Sequence, residues 1–314
     1  MKIRIGAIIL SVALVLATMP ASVFAATETS GTCGAGVAWS FSDGTLTIAG
    51  TGAVTSAPWS AYKDEIRHVV IDMPAGTFTS TNGNYINISF SGYSNVSQVD
   101  FVQYPLQSIT AADGKTYEGL TLSENMFGKC IGLTSIVIPT QVTSLPRYIF
   151  LGCGNLENVT LPENLQSIGY HAFSSCSTLR SISIPSNTKE FGDGAFFACS
   201  SLQQIVLPYG LEAISESMFG ACNSLQSVNI PASVKKIGEQ AFSSCYSLRS
   251  ISIPGKVSSI GANAFSGCSN LTSVALYEGL EYIYANAFKD CYQLTVVIIP
   301  GSVQEIYALS LIHI

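Results

Sequence analysis

The sequence carries nine cysteines, and eight of them recur at every twenty-third position. A thiolate is a nucleophile, a metal ligand or one half of a disulfide, so these thiols are the first candidates for chemistry. The eight lie at Cys130, Cys153, Cys176, Cys199, Cys222, Cys245, Cys268 and Cys291. The sequence has no C-x-x-C pair and no cluster of histidines, so we expect neither a metal site nor another cofactor.

Other residue types that serve in catalysis do not form a recognisable group. The histidines are His68, His171 and His313, and acidic pairs such as Asp64-Glu65 are scattered along the chain. No H-E-x-x-H, G-x-S-x-G or P-loop sequence is present. We expect His68 and His171 to be surface residues. The sequence therefore predicts no catalytic residues and a protein that is not an enzyme.

A sequence repeat with the same period explains the spacing of the cysteines. A phenylalanine precedes each of the eight by three positions, and proline follows the same period in most copies. The phenylalanines are Phe127, Phe150, Phe173, Phe196, Phe219, Phe242, Phe265 and Phe288. Self-similarity at such a period is typical of solenoids, in which each unit buries its apolar surface only against its neighbours. We therefore predict a stack of coils that offers an interaction surface.

Residues 172–192 show how one coil is built. In residues 172–179 the apolar side chains have the spacing of one face of a helical turn. Residues 179–184 then read L-x-x-I-x-I, the alternation of a half-buried strand, and Pro185 ends it because proline donates no ladder hydrogen bond. Gly192 is expected to allow a close backbone approach. The sequence thus predicts an α/β leucine-rich-repeat solenoid with one strand and a short helical turn per coil.

The thiols of neighbouring coils admit two interpretations. Their Cα atoms would lie about 5 Å apart, inside the disulfide range, and an exported protein could oxidise them. However, stacked side chains run parallel, and a thiol beside phenylalanine and leucine behaves as a small hydrophobe. We predict a reduced, buried structural ladder of these cysteines and phenylalanines. Cys33 lies outside the ladder, and its redox state is left open.

The pattern I-P-x-x-V-x-x-I-G-x-x-A-F-x-x-C, complete in residues 230–245, resembles the BspA-like class of bacterial leucine-rich repeats. The resemblance covers about residues 126–307. Residues 31–54, followed by Pro58-Trp59, resemble the leader that precedes such repeats in secreted proteins of gut Firmicutes. The resemblance implies a secreted or cell-surface protein that binds host matrix proteins, host cells or other bacteria.

The repeat also defines predicted boundaries. Alternating apolar residues around S-D-G-T at residues 42–45 predict a β-hairpin, so residues 26–60 are assigned to an N-terminal β cap. Residues 61–125 are read as two irregular repeats with insertions, and residues 126–308 as regular repeats, seven full and one partial. Residues 309–314 depart from the repeat and match one frame of a sequencing-library transposon end, which predicts a non-native tail.

The N-terminal residues predict export. Residues 1–25 contain Lys2 and Arg4, an apolar run and small residues before Ala25, as in a secretory signal peptide. The apolar run is too short for a membrane span, and we expect none in the mature chain. Loss of Lys2 and Arg4 changes 14 basic and 20 acidic residues to 12 and 20, a net charge of −8. Without a basic patch, nucleic acid is not an expected partner.

Tyrosines gather toward the C-terminal coils, whereas the outward strand positions are small and uncharged. As a candidate binding surface we single out Tyr246, Tyr277, Tyr282, Tyr284 and Tyr292. Exposed tyrosines are frequent anchors of protein interfaces, and such a patch could also bind glycan. The alternative is a packing ladder of tyrosines near the edge of the stack.

These observations predict a secreted or cell-surface protein that binds host or bacterial surface proteins or glycans without catalysis. Repeated surfaces would act through many weak contacts, because linked sites raise the effective concentration. Two alternatives stay open. The chain could be the non-catalytic binding arm of a larger secreted enzyme truncated at its C-terminus, or a structural element of a surface layer.

Overall fold

The computed structural model describes residues 29–50, 52–73, 85–86, 88–102, 109–110, 116–117 and 120–310. The predicted signal peptide at residues 1–25 and residues 311–314 of the predicted tail lie outside this part of the chain. Short β-strands joined by turns form a stack of coils. Among the described residues the one helix is a 3-10 helix at Pro58–Tyr62.

A five-stranded sheet begins the described chain. Its strands, in spatial order, are β1 Ser30–Gly34, β2 Val37–Ser42, β3 Thr45–Gly50, β4 His68–Asp72 and β6 Gln98–Phe101. The first three pair antiparallel, and β3, β4 and β6 pair parallel. The predicted hairpin is present between β2 and β3, where Asp43 has φ 50° and Gly44 has φ 76°, as a two-residue hairpin turn requires. The antiparallel strands therefore lead directly into the parallel stack.

The segment predicted to hold insertions carries shorter strands. β5 Tyr85–Ile86 pairs parallel with β9 Thr121–Leu122, and β7 Ile109–Thr110 pairs antiparallel with β8 Thr116–Tyr117. The register between β4 and β6 places His68 opposite Gln98, a longer step along the chain than one regular repeat. The longer step shows that these coils differ from the regular coils that follow.

Six of the L-x-x-I-x-I segments form strands, which pair in parallel as three separate two-stranded sheets. The strand predicted at residues 179–184 is not formed, although the N–H of Gln203 in the next coil donates to Arg180 O at 3.0 Å. The register advances by one repeat at each step, with Ser135 opposite Asn158 and Ser250 opposite Ser273. Ile136 and Ile251 point inward and are buried, and their neighbours are exposed, so each strand alternates as expected. The strands are β10 Ser135–Val137, β12 Asn158–Thr160, β15 Gln204–Val206, β17 Ser227–Asn229, β19 Ser250–Ile253 and β21 Ser273–Leu276.

A second strand, which the sequence pattern does not predict, lies in the return segment of the coil. It has two residues and one inward side chain, as in Leu145 opposite Ile168. A single buried residue is too little for a period-two pattern. These strands are β11 Ser144–Leu145, β13 Ser167–Ile168, β14 Glu190–Phe191, β16 Ala213–Ile214, β18 Lys236–Ile237, β20 Ser259–Ile260, β22 Tyr282–Ile283 and β23 Glu305–Ile306. Most of the regular coils thus have two strands where one is predicted.

The short helical turn predicted for each coil is not found in the described coils. Hydrogen-bonded turns take its place, and His171 (φ 49°) and Ser175 (φ 61°) interrupt any right-handed helix. The N–H groups of His171, Phe173 and Ser175 donate to carbonyl oxygens of the next coil, at 3.0, 2.8 and 2.8 Å. The apolar spacing that suggested a helix therefore belongs to a turn whose hydrogen bonds run between coils.

The interior is one continuous apolar column that runs from the cap to the last coil. Close contact between neighbouring backbones explains the glycine after the second strand. A Cβ atom on Gly192 would lie 2.3 Å from the backbone nitrogen of Tyr170. Gly192 has no positive φ, so its role is the expected close approach and not an unusual conformation.

Candidate binding surfaces

The ladder of phenylalanines and cysteines lies in the interior. Consecutive phenylalanine rings from Phe127 to Phe288 stack with centroids 5.1 to 5.8 Å apart. Every cysteine is free and buried, Cys33 included. From Cys153 onward each ladder Sγ donates to the carbonyl oxygen of a phenylalanine in the preceding coil, at 2.9 to 3.3 Å. The ladder is therefore a packing element without access to a ligand.

Burial also lowers the reactivity of these thiols. Desolvation raises the pKa of Cys130, Cys199 and Cys291 from 9.0 to about 12. The pKa values of the other ladder thiols are raised as well, with burial as the main cause. The thiolate, which is the reactive form, is therefore scarce at neutral pH. The regular thiols do not make a nucleophilic or metal-binding site.

The predicted tyrosine surface is only partly continuous. Ring contacts join Tyr282 to Tyr284 at 6.4 Å and Tyr284 to Tyr307 at 5.0 Å, the second pair nearly parallel. Tyr284 and Tyr307 are 39% and 38% exposed. We call Tyr282, Tyr284 and Tyr307 the tyrosine trio. Among the described residues no ring contact joins the exposed Tyr246 and Tyr277 to the trio.

Carboxylates lie beside these tyrosines. A hydrogen bond to Glu305 is the main cause of the raised pKa of the Tyr307 hydroxyl, and the negative charge of Asp290 is the main cause of the raised pKa of Tyr292. The hydroxyl of Tyr292 donates to Asp290 Oδ1 at 3.2 Å, and the hydroxyl of Tyr282 donates to Gln304 Oε1 at 3.3 Å. The surface of the last coils therefore combines aromatic rings with acidic and amide groups.

A second aromatic group, which sequence reasoning missed, lies in the middle of the stack. We call Tyr148, Tyr170, His171 and Phe197 the aromatic cluster. The ring of His171 is parallel to that of Tyr148 at 6.1 Å and nearly perpendicular to those of Tyr170 at 4.3 Å and Phe197 at 6.0 Å. Tyr170 is 42% exposed and Phe197 36% exposed.

His171 therefore differs from the surface histidine that the sequence predicts. Its side chain is half-buried, and its Nδ1 atom is buried without a hydrogen-bond partner. Desolvation lowers the pKa of His171, against the opposing charge of Asp193. The imidazole is thus a neutral aromatic member of the cluster at neutral pH.

The polar grooves of the described surface are shallow. A groove of about 390 Å³ lies between β6 and β10 and includes Gln98, Asp100 and Asn158. At the edge of this groove, the half-exposed His68 contacts Asp100 through its Nε2 atom, which lies 2.8 Å from Asp100 Oδ2. Within the described ranges no group of three or more His, Cys, Asp or Glu side chains is placed to hold a metal ion. No helix in the described part of the chain has the length and apolar character of a membrane span.

The fold and its surfaces define a class of protein. Parallel coils of L-x-x-I-x-I strands around a phenylalanine column make a leucine-rich-repeat solenoid. The chain belongs to the family of BspA type leucine-rich repeat regions. The family model, which describes six copies of the repeat, matches residues 71–203, 120–249 and 190–311. The resemblance drawn from the repeat pattern is therefore confirmed.

Solved structures similar to this chain are bacterial leucine-rich repeat proteins. One from Bacteroides ovatus is 22% identical, with a TM-score of 0.46, over 83% of this chain and 92% of that one. The T. pallidum leucine rich repeat protein is 22% identical, with a TM-score of 0.42, over 82% and 87%. A leucine rich cell surface protein from Faecalibacterium prausnitzii is 20% identical, with a TM-score of 0.37, over 87% and 93%. No curated protein matches the chain significantly.

Proposed function

We propose that this protein is exported and acts, in secreted or cell-surface form, as a binding protein for proteins or glycans on host or bacterial surfaces, without catalysis. The observation that carries this proposal is the tyrosine trio, three contacting rings on adjacent coils with two of them substantially exposed. Tyrosine is enriched at binding hot spots because a rigid ring buries a large area. Membership of a repeat family whose proteins are typically binding or surface proteins supports the same function.

The rigid stack supports recognition by shape. The trio is held by the parallel pairing of β22 and β23, in which Tyr282 lies opposite Glu305 and Ile283 opposite Ile306. The buried Ile283 and Leu280 anchor the backbone beneath the rings. A ligand would therefore meet side chains that are already positioned, which lowers the entropic cost of association.

The test is binding of the labelled full chain to host epithelial cells and to bacterial cells. We expect the double substitution Tyr282→Ser and Tyr284→Ser to weaken cell binding by about tenfold, since loss of a hot spot costs roughly 1–2 kcal/mol. Tyr209→Ser is the matched control, because Tyr209 is 84% exposed and lies outside the trio. Unchanged binding of the double variant, with an intact circular dichroism spectrum, would remove the trio from the proposal.

A further inference from the structure

A row of carboxylates extends from the aromatic cluster along the stack. Asp193, Glu216 and Glu239 occupy the repeat position of Tyr170 in the next three coils, and all three are exposed. Within the described residues no ion pair is found for these side chains, although Asp193 Oδ1 accepts the backbone N–H of Glu216 at 3.1 Å. Like charges on neighbouring coils repel one another, so this acidic row is not explained by coil stability.

Two basic residues near this surface form ion pairs with carboxylates outside the row. Arg147, one coil before Tyr170 in the same position, pairs with Glu124 at 3.0 Å. Lys235, which directly precedes β18, pairs with Glu212 at 2.9 Å. Neither of these two cations pairs with the row, which lies beside exposed rings. The neutral imidazole of His171 adds no opposing charge, because desolvation lowers its pKa.

We propose that the aromatic cluster and the acidic row together bind an extended segment of a partner protein that is rich in arginine or lysine. A cation over an aromatic face within about 6 Å is attracted by the ring, and arginine also stacks on it. The carboxylates then accept the donors of further basic side chains and steer the segment to the surface. This inference rests on the proposed binding function, but it concerns a different surface from the tyrosine trio.

The dimensions fit a short peptide. From Tyr148 to Glu239 the surface spans four coil steps, or roughly 19 Å at about 4.8 Å per step. An extended chain rises about 3.3 Å per residue, so about six residues cover the surface. A single small cation would contact one ring and leave the row unpaired. A basic segment engages both halves of the surface at once.

Isothermal titration with a synthetic peptide of about nine residues, in which arginine alternates with serine, tests this inference. We expect Tyr170→Ser to weaken peptide affinity by about tenfold, and Tyr170→Phe to retain it because the ring and not the hydroxyl makes the contact. We expect Glu216→Gln with Glu239→Gln to lower the affinity at low salt and to flatten its salt dependence.

Matched controls separate this site from general acidity. Tyr209→Ser removes an exposed tyrosine elsewhere, and Glu157→Gln with Glu163→Gln removes the same charge away from the row. The inference would be overturned if the control variants lost as much peptide affinity as the variants of the cluster and the row. It would also be overturned if the wild-type chain bound a peptide with glutamine in place of arginine equally well. Phosphocholine binding without peptide binding would also overturn it, since that ligand is a lone cation and not a basic segment.

The proposed function and the basic-peptide site can be disproved separately. The Tyr282→Ser and Tyr284→Ser variant should keep its affinity for the arginine peptide. If the wild-type chain binds cells but Tyr170→Ser leaves peptide affinity unchanged, only the present inference is lost. If peptide binding depends on Tyr170 but the wild-type chain binds no cells, only the proposed function is lost.

Discussion

Each phenylalanine carbonyl in the ladder from Phe127 to Phe265 accepts two hydrogen bonds. Phe150 O accepts the N–H of Cys153 in its own coil at 3.0 Å and the Sγ of Cys176 in the next coil at 3.3 Å. A thiol donates the second bond only while it is protonated, and burial raises its pKa. The cysteines are therefore structural donors, and this role favours cysteine over a purely apolar residue of similar size.

This role makes stability depend on pH in the alkaline range. Burial raises the pKa of Cys199 from 9.0 to about 12. Below pH 9 the thiol is protonated in both the folded and the unfolded chain. Between pH 9 and 12 the unfolded chain releases the proton while the folded chain holds it, so the stability falls as the pH rises. We expect Cys199→Ala to reduce the loss of unfolding free energy between pH 8 and 10.5 by about 2 kcal/mol.

Urea unfolding at the two pH values measures this difference. Titration of nine thiols per chain in denaturant first establishes that the cysteines are reduced. Other titrating groups are shared by the two proteins and cancel in the comparison, apart from Cys176 and Cys222, whose pKa values the charge of Cys199 also raises. Equal pH dependence of wild type and variant would mean that Cys199 titrates normally in the folded chain. The sequence predicts the inward thiol, but not its acceptor, because no residue pattern marks a carbonyl 26 positions earlier.

At the scale of the element, the turn of each coil has two repeat positions in left-handed conformation. In one coil His171 holds the first position and Ser175 the second, and the second is the one considered next. Ala198 (φ 57°) and Ala221 (φ 58°) occupy a position that Gly152 and Gly267 hold elsewhere. The N–H groups at these positions donate to the next coil, as Ala198 does to Gly220 O at 2.7 Å. Nothing in the sequence reveals the conformation, because serine, lysine and aspartate also occupy it. This explains why an apolar spacing suggested a helix where the chain forms a turn.

Replacement of Ala198 by glycine should stabilise the protein. A non-glycine residue in the left-handed region costs roughly 1–2 kcal/mol, and glycine avoids that cost while adding some entropy to the unfolded chain. We expect a net gain of about 0.5–1 kcal/mol in unfolding free energy, measured by urea denaturation.

Ala195→Gly is the control, in the same turn. Ala195 is fully buried and has no positive φ, so glycine there removes a packed methyl group and should destabilise the chain. A destabilising Ala198→Gly of similar size would show that the backbone at residue 198 is not strained.

At the scale of the whole molecule, each coil is held by its two neighbours. The two strand ladders, the turn hydrogen bonds and the phenylalanine stack all join residues about one repeat apart. The repeat therefore predicts the parallel register. It does not predict the aromatic cluster, because Tyr148, Tyr170 and Phe197 occupy three different repeat positions and meet only when three coils stack. A comparison of equivalent repeat positions does not detect a surface that is formed by different positions in several coils.

Nearest-neighbour coupling predicts how damage spreads from a single coil. The ring of Phe219 stacks between Phe196 at 5.8 Å and Phe242 at 5.4 Å, and all three are fully buried. Phe219→Ala should cost about 3–5 kcal/mol of local stability. Stability in a solenoid is a sum of coil and interface terms, so native-state hydrogen exchange should rise most in the coils of Phe196, Phe219 and Phe242. Protection in β2 and β3 of the cap should change little, and Tyr209→Ser should change no region. A uniform rise from the cap to the last coil would mean that the stack unfolds as one cooperative unit, so that the coupling extends far beyond neighbouring coils.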